Sequence, residues 1–389
     1  MSLLFELEQH QKLVVYEEGN QILAVRLPLR RGGEFRMRDG CLSDLTGVIY
    51  RGNIRLAWQS LEHHIILSGT EEQSYRIVLS DGYHVRQYGG LKLVAKDQGL
   101  WLLYSAKEPE KDVWELFEKK RTAQKFLPIA SVLTIAAAGS ETSNSCVITN
   151  EETKEKRSYN DDIARPKFAI MNPELTMTLP DYQTESGCTD IMMHTMERYF
   201  TQGGNMEITD EIAEGLLRTV MKYAKILHHD PTNYEARAEI MWSGSLAHNG
   251  LTGCGNDGGD FASHMLEHEM GGMFDVTHGA GLAAIWPSWA RYVYKNCLPR
   301  FVRYATHVMG VTPGETDEKT ALKGIEAMED FYHEIGMPVN FKELGIAPTD
   351  EQIKEMADSC ARASGGHKGS AKDLYPEDMI AIYRMANQE

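Results

Sequence analysis

Apolar and polar residues alternate with a period of two along residues 1–105, and turn-forming residues separate the apolar runs. This alternation is typical of β-strands, because successive side chains of a strand point to opposite faces of a sheet. Short pairs rich in Gly, Asp and Asn connect runs that we expect to form hairpins. These turns are Gly19-Asn20, Asp81-Gly82 and Asp97-Gln98-Gly99. The pattern therefore predicts a β-rich N-terminal segment.

From about residue 106 the apolar positions recur with a helical period instead. The stretch ITDEIAEGLLRTVMKYAKIL has one apolar side, and Thr209 is a plausible N-cap in front of two acidic residues. Further on, Thr349 and Gln352 have the spacing of a capping box. We expect most of residues 180–389 to be helical.

The composition limits the partners that the chain can bind. Its 389 residues are 42% hydrophobic and carry a net charge of -16, which argues against a nucleic-acid groove or a polybasic membrane patch. The N-terminus lacks the positive region of a signal peptide, and no apolar run approaches the length of a membrane span. The six cysteines form no CxxC pair, as expected in a reducing compartment. We expect a cytoplasmic protein.

Two segments place metal-ligand side chains at helical spacing. In HMLEHEMGGMFDVTHG, His264 and His268 are four residues apart and share a helix face, and His278 follows ten residues later. In CTDIMMHTMERYF, Asp190 and His194 have the same spacing. One such pair is more often a solvated face or a hydrogen-bonded histidine than a metal site. Together the segments offer five ligand-type groups, from which a metal would choose four.

The ligand types narrow the choice of ion. One carboxylate combined with imidazoles suits iron(II) or zinc better than magnesium or calcium. Gly271 and Gly272 would allow the chain to end one helix and turn His278 back towards the first pair. A zinc-protease site is excluded, because HMLEH lacks the glutamate that follows the first histidine in HExxH.

The same two segments, extended to HMLEHEMGGMFDVTHGAGLAAIWPSWARYV, resemble the iron-containing (group III) alcohol dehydrogenases, particularly the butanol-dehydrogenase-like branch. The similarity begins near residue 104 and includes DVWELF, LPIASVLTIAAAGSETSNSCVITNEETKEK and PKFAIMNPELTMTLP. The resemblance implies an enzyme that transfers hydride between a primary alcohol, or its aldehyde, and NAD or NADP. A divalent metal, Fe2+ or Zn2+, would lower the pKa of the alcohol hydroxyl.

The resemblance also implies roles for individual residues. The metal ligands would be Asp190, His194, His264 and His278. His268 would lie beside the metal and the nicotinamide and serve orientation or proton relay, without being a ligand. The enzymes of this family commonly associate, so a homo-oligomer is possible.

Part of a dinucleotide site is implied by two further motifs. The loop AAAGSE, after the expected buried strand PIASVLTI, resembles the family loop TxxTGSE. Thr134, Gly139 and Ser140 would approach the cofactor, whereas Ala138 stands where the family usually has threonine. Lys156 matches a family lysine that contacts the cofactor.

The chain departs from the family at the phosphate-binding turn. No GGGS follows a strand and opens a helix in residues 1–105. The match of GCGNDG to GxGxxG is in the wrong context, because helical sequence precedes it. The expected fold is therefore multidomain, with three parts. They are a β-rich segment over residues 1–105, a partial α/β, Rossmann-like dinucleotide region over 106–179, and an all-α metal-binding domain over 180–389.

This departure leaves three interpretations open. The first is a metal-dependent, NAD(P)-linked alcohol dehydrogenase or aldehyde reductase that acts on a small alcohol or aldehyde. The second is a helical metal-binding module fused to a β-rich binding segment, with weak or no redox activity. The third is a truncated enzyme joined to a foreign N-terminal partner by fusion or by recombination of the reading frame.

Overall fold

The computed structural model divides the chain into two compact units, Met1–Leu127 and Pro128–Glu389. It describes the backbone of nine strands between Ser2 and Leu103. Beyond them it describes side chains as well, over residues 114–123, 129–150 and 152–388.

The strands of the first unit form three antiparallel sheets. One has the order β1-β2-β3, the second β4-β5-β6-β7, and the third pairs β8 with β9. The pairs β2–β3, β6–β7 and β8–β9 are antiparallel and flank the three turn pairs that the sequence indicates. Their bounds are β1 Ser2–Leu7, β2 Gln11–Glu18, β3 Gln21–Leu27, β4 Ile54–Gln59, β5 His64–Gly69, β6 Arg76–Ser80, β7 Val85–Tyr88, β8 Lys92–Lys96 and β9 Gly99–Leu103. A short helix, α1, spans Trp114–Phe117.

The second unit begins with two small sheets. Strand β10 (Ala130–Val132) pairs in parallel with β13 (Phe168–Ile170). Strand β11 (Ser145–Thr149) pairs with β12 (Lys156–Asn160) as an antiparallel hairpin. The expected burial of the PIASVLTI strand is wrong at Val132, which is 45% exposed. Among the described strands, only β13 pairs with β10, so β10 is an edge strand and not an inner strand of a larger parallel sheet.

Ten helices follow within the described part of this unit, in agreement with the helical period of residues 180–389. They are α2 Asp181–Tyr199, α3 Glu207–His229, α4 Tyr234–His248, α5 Ala262–Phe274, α6 His278–Val293, α7 Leu298–Arg303, α8 Asp317–Glu334, α9 Phe341–Leu344, α10 Asp350–Ala363 and α11 Pro376–Gln388. Their core is rich in aromatic rings, and Phe200 stacks on Phe301 with centroids 4.3 Å apart. None of the helices described has the length and apolar character needed to cross a bilayer.

Two helix boundaries differ from the sequence prediction. Helix α3 begins at Glu207, so Thr209 lies inside it, and its hydroxyl donates to the Cys254 carbonyl at 2.9 Å. Helix α5 continues through Gly271 and Gly272 to Phe274. The glycines serve packing rather than termination, because a Cβ atom at Gly272 would overlap the Lys154 carbonyl oxygen. The turn towards His278 comes later, after the helix has ended.

The predicted capping box at the start of α10 is present. The Thr349 hydroxyl accepts a hydrogen bond from the Gln352 amide at 3.3 Å, and the Gln352 side chain accepts from the Thr349 amide at 2.8 Å. We expect Thr349→Ala to lower the free energy of unfolding by about 1 kcal/mol. Denaturant unfolding would measure the loss, with Thr349→Ser as the control that keeps the hydroxyl. Equal losses in both variants would contradict a capping role.

Candidate metal and substrate site

Helix α2 carries one polar face in an otherwise apolar interior. Asp190, His194 and Glu197 are spaced i, i+4 and i+7, so they follow one another along the same face. All three are buried, and Asp190 and Glu197 have no exposed surface. A charged residue rarely occupies such a position without a partner or a bound cation. This face of α2 therefore requires compensating charge.

Helices α5 and α6 bring three histidines to that face. His264 and His268 lie one turn apart on α5, and His278 is the first residue of α6. The start of α6 packs directly on the backbone of α2, because a Cβ atom at Gly279 would lie only 2.5 Å from the Ser186 carbonyl carbon. This close approach places His278 beside Asp190.

The side chains converge on one carboxylate oxygen. Oδ1 of Asp190 lies 3.3 Å from Nδ1 of His194, 3.4 Å from Nε2 of His264 and 3.6 Å from Nε2 of His278. The ring centroid of His264 is 4.5 Å from that of His194 and 5.3 Å from that of His278. The structure thus brings together the four residues that the family resemblance indicates.

The donor atoms of this group fit a divalent cation. Nδ1 of His194 and Nε2 of His264 are buried and have no hydrogen-bond partner among the described residues. A buried polar atom without a partner costs free energy, and such atoms are uncommon in folded proteins. A cation bound by these nitrogens and by the carboxylate would remove that cost. The combination of imidazole and carboxylate ligands suits iron(II) or zinc.

Two buried glutamates orient the histidine rings from behind. Glu197 accepts a hydrogen bond from the His264 amide at 3.1 Å and also contacts Nδ1 of its ring. Glu267 contacts Nδ1 of His278 in the same way. These contacts turn the opposite ring nitrogens, Nε2, towards Asp190, the arrangement typical of histidines that ligate a metal. The sequence motifs indicated neither glutamate, although each lies three residues after a predicted ligand of its helix.

The protonation of the group follows from its burial and its charges. Burial alone would raise the pKa of the Asp190 carboxyl, but the adjacent histidines hold that pKa well below its usual range. Burial lowers the pKa of His278 to about 4. Burial also favours neutral His264, but Glu197 and Asp190 together outweigh this effect and raise the pKa of His264 to about 9. A cation that binds His264 must therefore displace a proton.

His268 lies beside this group rather than inside it. Its ring centroid is 6.4 Å from that of His264 and 5.8 Å from that of His278. The side chain is buried, and one of its nitrogens lies within 4.8 Å of ligand atoms of Glu267 and His278. His268 thus lies next to the group of four proposed ligands. Its role remains a prediction.

The residues expected to contact the cofactor lie in two places. Thr134, Gly139 and Ser140 follow strand β10, and Gly139 packs against Gly244 of α4. Lys156 begins strand β12, and its ammonium contacts Glu267 and His278 instead of the loop. The GCGNDG stretch follows α4 without an intervening strand, as the sequence indicated.

Comparisons with known proteins match this architecture. The model of iron-containing alcohol dehydrogenases matches residues 93–173, and that of the C-terminal part of the Fe-containing alcohol dehydrogenase family matches residues 184–387. The crystal structure of NADH-dependent butanol dehydrogenase A from Thermotoga maritima superposes with a TM-score of 0.68 at 39% identity. The superposition covers 72% of this chain and 71% of that one.

Two relatives from Clostridium acetobutylicum are similar in sequence. NADH-dependent butanol dehydrogenase A is 38% identical over 70% of both chains. NADH-dependent butanol dehydrogenase B is 31% identical over 91% of this chain and 90% of its own length. The second match is longer than residues 106–389, so it extends into the N-terminal segment, where the sequence motifs indicate no family.

Proposed function

Since the chain belongs to the iron-containing alcohol dehydrogenase family, we propose that it oxidises a short primary alcohol, or reduces the aldehyde, with NAD(P). The divalent cation would be iron or zinc. Its ligands would be Asp190, His194, His264 and His278. The relatives that match over the largest shares of the chain are named as NADH-dependent butanol dehydrogenases, which favours NADH and a substrate of similar size.

The convergence on Asp190 carries this proposal. A fully buried carboxylate oxygen lies within 3.6 Å of three imidazole rings, two of which present unpartnered nitrogens. A cation held there would act as a Lewis acid that lowers the pKa of a substrate hydroxyl or polarises a carbonyl. No protein side chain can accept the hydride, so a nicotinamide must receive it.

The protein groups would prepare the site before substrate binds. Glu197 and Glu267 hold the His264 and His278 rings in place, so little reorganisation is needed when the substrate enters. The burial of the ligands excludes bulk water and strengthens each electrostatic interaction. We assign His268, at the edge of the group, to orienting the substrate hydroxyl or relaying its proton.

Removal of the metal tests the proposal. We expect dialysis against a chelator to abolish NADH-linked reduction of butyraldehyde, and addition of Fe2+ or Zn2+ to restore it. Metal content per chain, measured beside the rate, would show whether the two rise together. Dialysis without chelator is the control. Full turnover by the metal-free protein would overturn the proposal.

A cofactor titration separates the enzyme from a metal-binding module without redox activity. Fluorescence transfer from protein tryptophan to NADH or NADPH would report dinucleotide binding directly. We expect saturable binding of at least one of the two. A protein that retains its metal but binds neither nucleotide would favour the module.

A further inference from the structure

We propose that Lys156 is a positioning residue of the metal centre. Its ammonium would hold the Glu267 carboxylate in the orientation in which Glu267 holds the ring of His278. The inference rests on the proposed function, because it assigns Lys156 to the metal group. It gives this lysine a task additional to the cofactor contact that the family resemblance implies.

The contacts form a continuous chain of three side chains. Nζ of Lys156 lies 3.1 Å and 3.4 Å from the two carboxylate oxygens of Glu267, and 3.4 Å from Nδ1 of His278. The same Nδ1 contacts Glu267. The lysine side chain is only 11% exposed, and that of Glu267 is not exposed at all. A displacement of the Lys156 ammonium would therefore affect His278 through the Glu267 carboxylate.

The charges explain why the lysine is needed. Glu267 is buried, and a buried carboxylate without a counter-charge is strongly unfavourable. His278 must be neutral to donate its other nitrogen to a cation, so it cannot also supply full compensation. Lys156 provides the missing positive charge. It leaves the His278 ring free to serve as a ligand.

The hairpin of β11 and β12 delivers Lys156 to this position. Its backbone packs closely on α5, where the absence of a side chain at Gly272 makes room for the Lys154 carbonyl. The next residue, Arg157, forms a second ion pair with Glu269 at 2.9 Å. Two ion pairs from consecutive strand residues thus fix the hairpin to α5. A loose surface lysine would not have this support.

The geometry also argues against a second cation beside the first. Glu267, His268 and His278 have ligand atoms within 4.8 Å of one another, a spacing that a metal could use. However, the Lys156 ammonium already occupies this carboxylate. We therefore assign Glu267 to the support of His278 rather than to a second cation site.

Metal affinity of the full chain tests the inference. Competition of the purified protein with a chromophoric chelator for Zn2+ would compare Lys156→Met with the wild type. We expect the affinity to fall about 10–100-fold, the usual cost of losing a partner behind a metal ligand. Lys156→Arg should recover most of the loss, because it restores the positive charge. Lys154→Met, on the same hairpin but exposed, should match the wild type.

A double substitution separates positioning from a general effect on folding. Lys156→Met combined with Glu267→Gln leaves no uncompensated charge, so it remains informative if Lys156→Met alone does not fold. If Lys156 acts on His278 through Glu267, the double variant should lose no more metal affinity than Glu267→Gln alone. If the fold-losses of metal affinity in the two single variants multiply in the double variant, Lys156 does not act through Glu267.

The outcomes distinguish the two proposals. A wild-type protein that binds neither Zn2+ nor Fe2+ would reject the proposed function and this inference with it. A wild type that binds Zn2+, with Lys156→Met equally tight, would reject the inference alone. Weaker NADH binding by Lys156→Met with unchanged Zn2+ affinity would also reject it, because the lysine would then act only on the cofactor.

Discussion

Asp190→Asn is expected to remove the bound metal and nearly all alcohol oxidation. Asp190 Oδ1 lies at the centre of the group, within 3.6 Å of three imidazole rings. The substitution keeps the shape of the side chain but removes the single negative charge that faces the proposed cation. Metal affinity should fall by more than about 100-fold, the upper end of the cost of losing a residue that supports a metal ligand. Metal content per chain and kcat/KM for butanol would measure the effect.

The exposed Asp181 offers a matched control on the same helix. Asp181→Asn removes the same charge from α2 at its first turn, away from the histidines. It should leave both metal content and kcat/KM near the wild-type values. If Asp190→Asn retained metal and turnover as Asp181→Asn does, the proposed ligand set would be wrong.

The helix faces could be predicted from sequence, whereas their meeting could not. Asp190 and His194 are four residues apart, as are His264 and His268. The helical repeat therefore places each pair on one helix face. Nothing in that repeat says that α2 lies against α5 and α6. The family resemblance supplied this information. The structure then brings Asp190 within 3.6 Å of the ring of His278, the proposed ligand that has no partner four residues away.

The supporting glutamates show why burial is difficult to predict from one segment. A glutamate on a helix is usually exposed to solvent, and glutamate is among the residues least often buried. Nothing in the local sequence therefore marks Glu197 and Glu267 as buried. Both have no exposed surface, because α2, α5 and α6 surround them. The informative signal was the position of each glutamate relative to a ligand. In both cases it follows a proposed ligand by three residues on the same helix.

Strand partners were also difficult to predict. PIASVLTI, SCVIT and FAIM all have the apolar character of buried strands, and the resemblance to the family implies one parallel sheet that includes all three. β10 and β13 do pair in parallel, but SCVIT forms an antiparallel hairpin with β12. The Asn150 side chain accepts hydrogen bonds from the amides of Glu152 and Thr153, which closes a local turn. A local partner was therefore available to SCVIT.

Gly279→Ala is expected to destabilise the fold and the metal site together. The new Cβ atom would overlap the Ser186 carbonyl group, with only 2.5 Å to its carbon and 2.8 Å to the Ser186 Cα. These are backbone atoms of α2, so the contact can be relieved only if α6 moves. Such overpacking costs about 1–3 kcal/mol, more than the about 1 kcal/mol that alanine gains over glycine in a helix. Denaturant unfolding of the metal-free protein would measure the net loss.

Gly215→Ala provides the opposite case within α3. There the nearest atom to the new Cβ is a flexible Arg218 nitrogen at 4.0 Å, so only the gain in helix propensity remains. Gly215→Ala should raise stability by about 0.5–1 kcal/mol and leave metal affinity unchanged. Gly279→Ala should lower both, because a shift of α6 carries His278 away from Asp190. Effects of the same sign in the two variants would mean that the contact between α2 and α6 does not place His278.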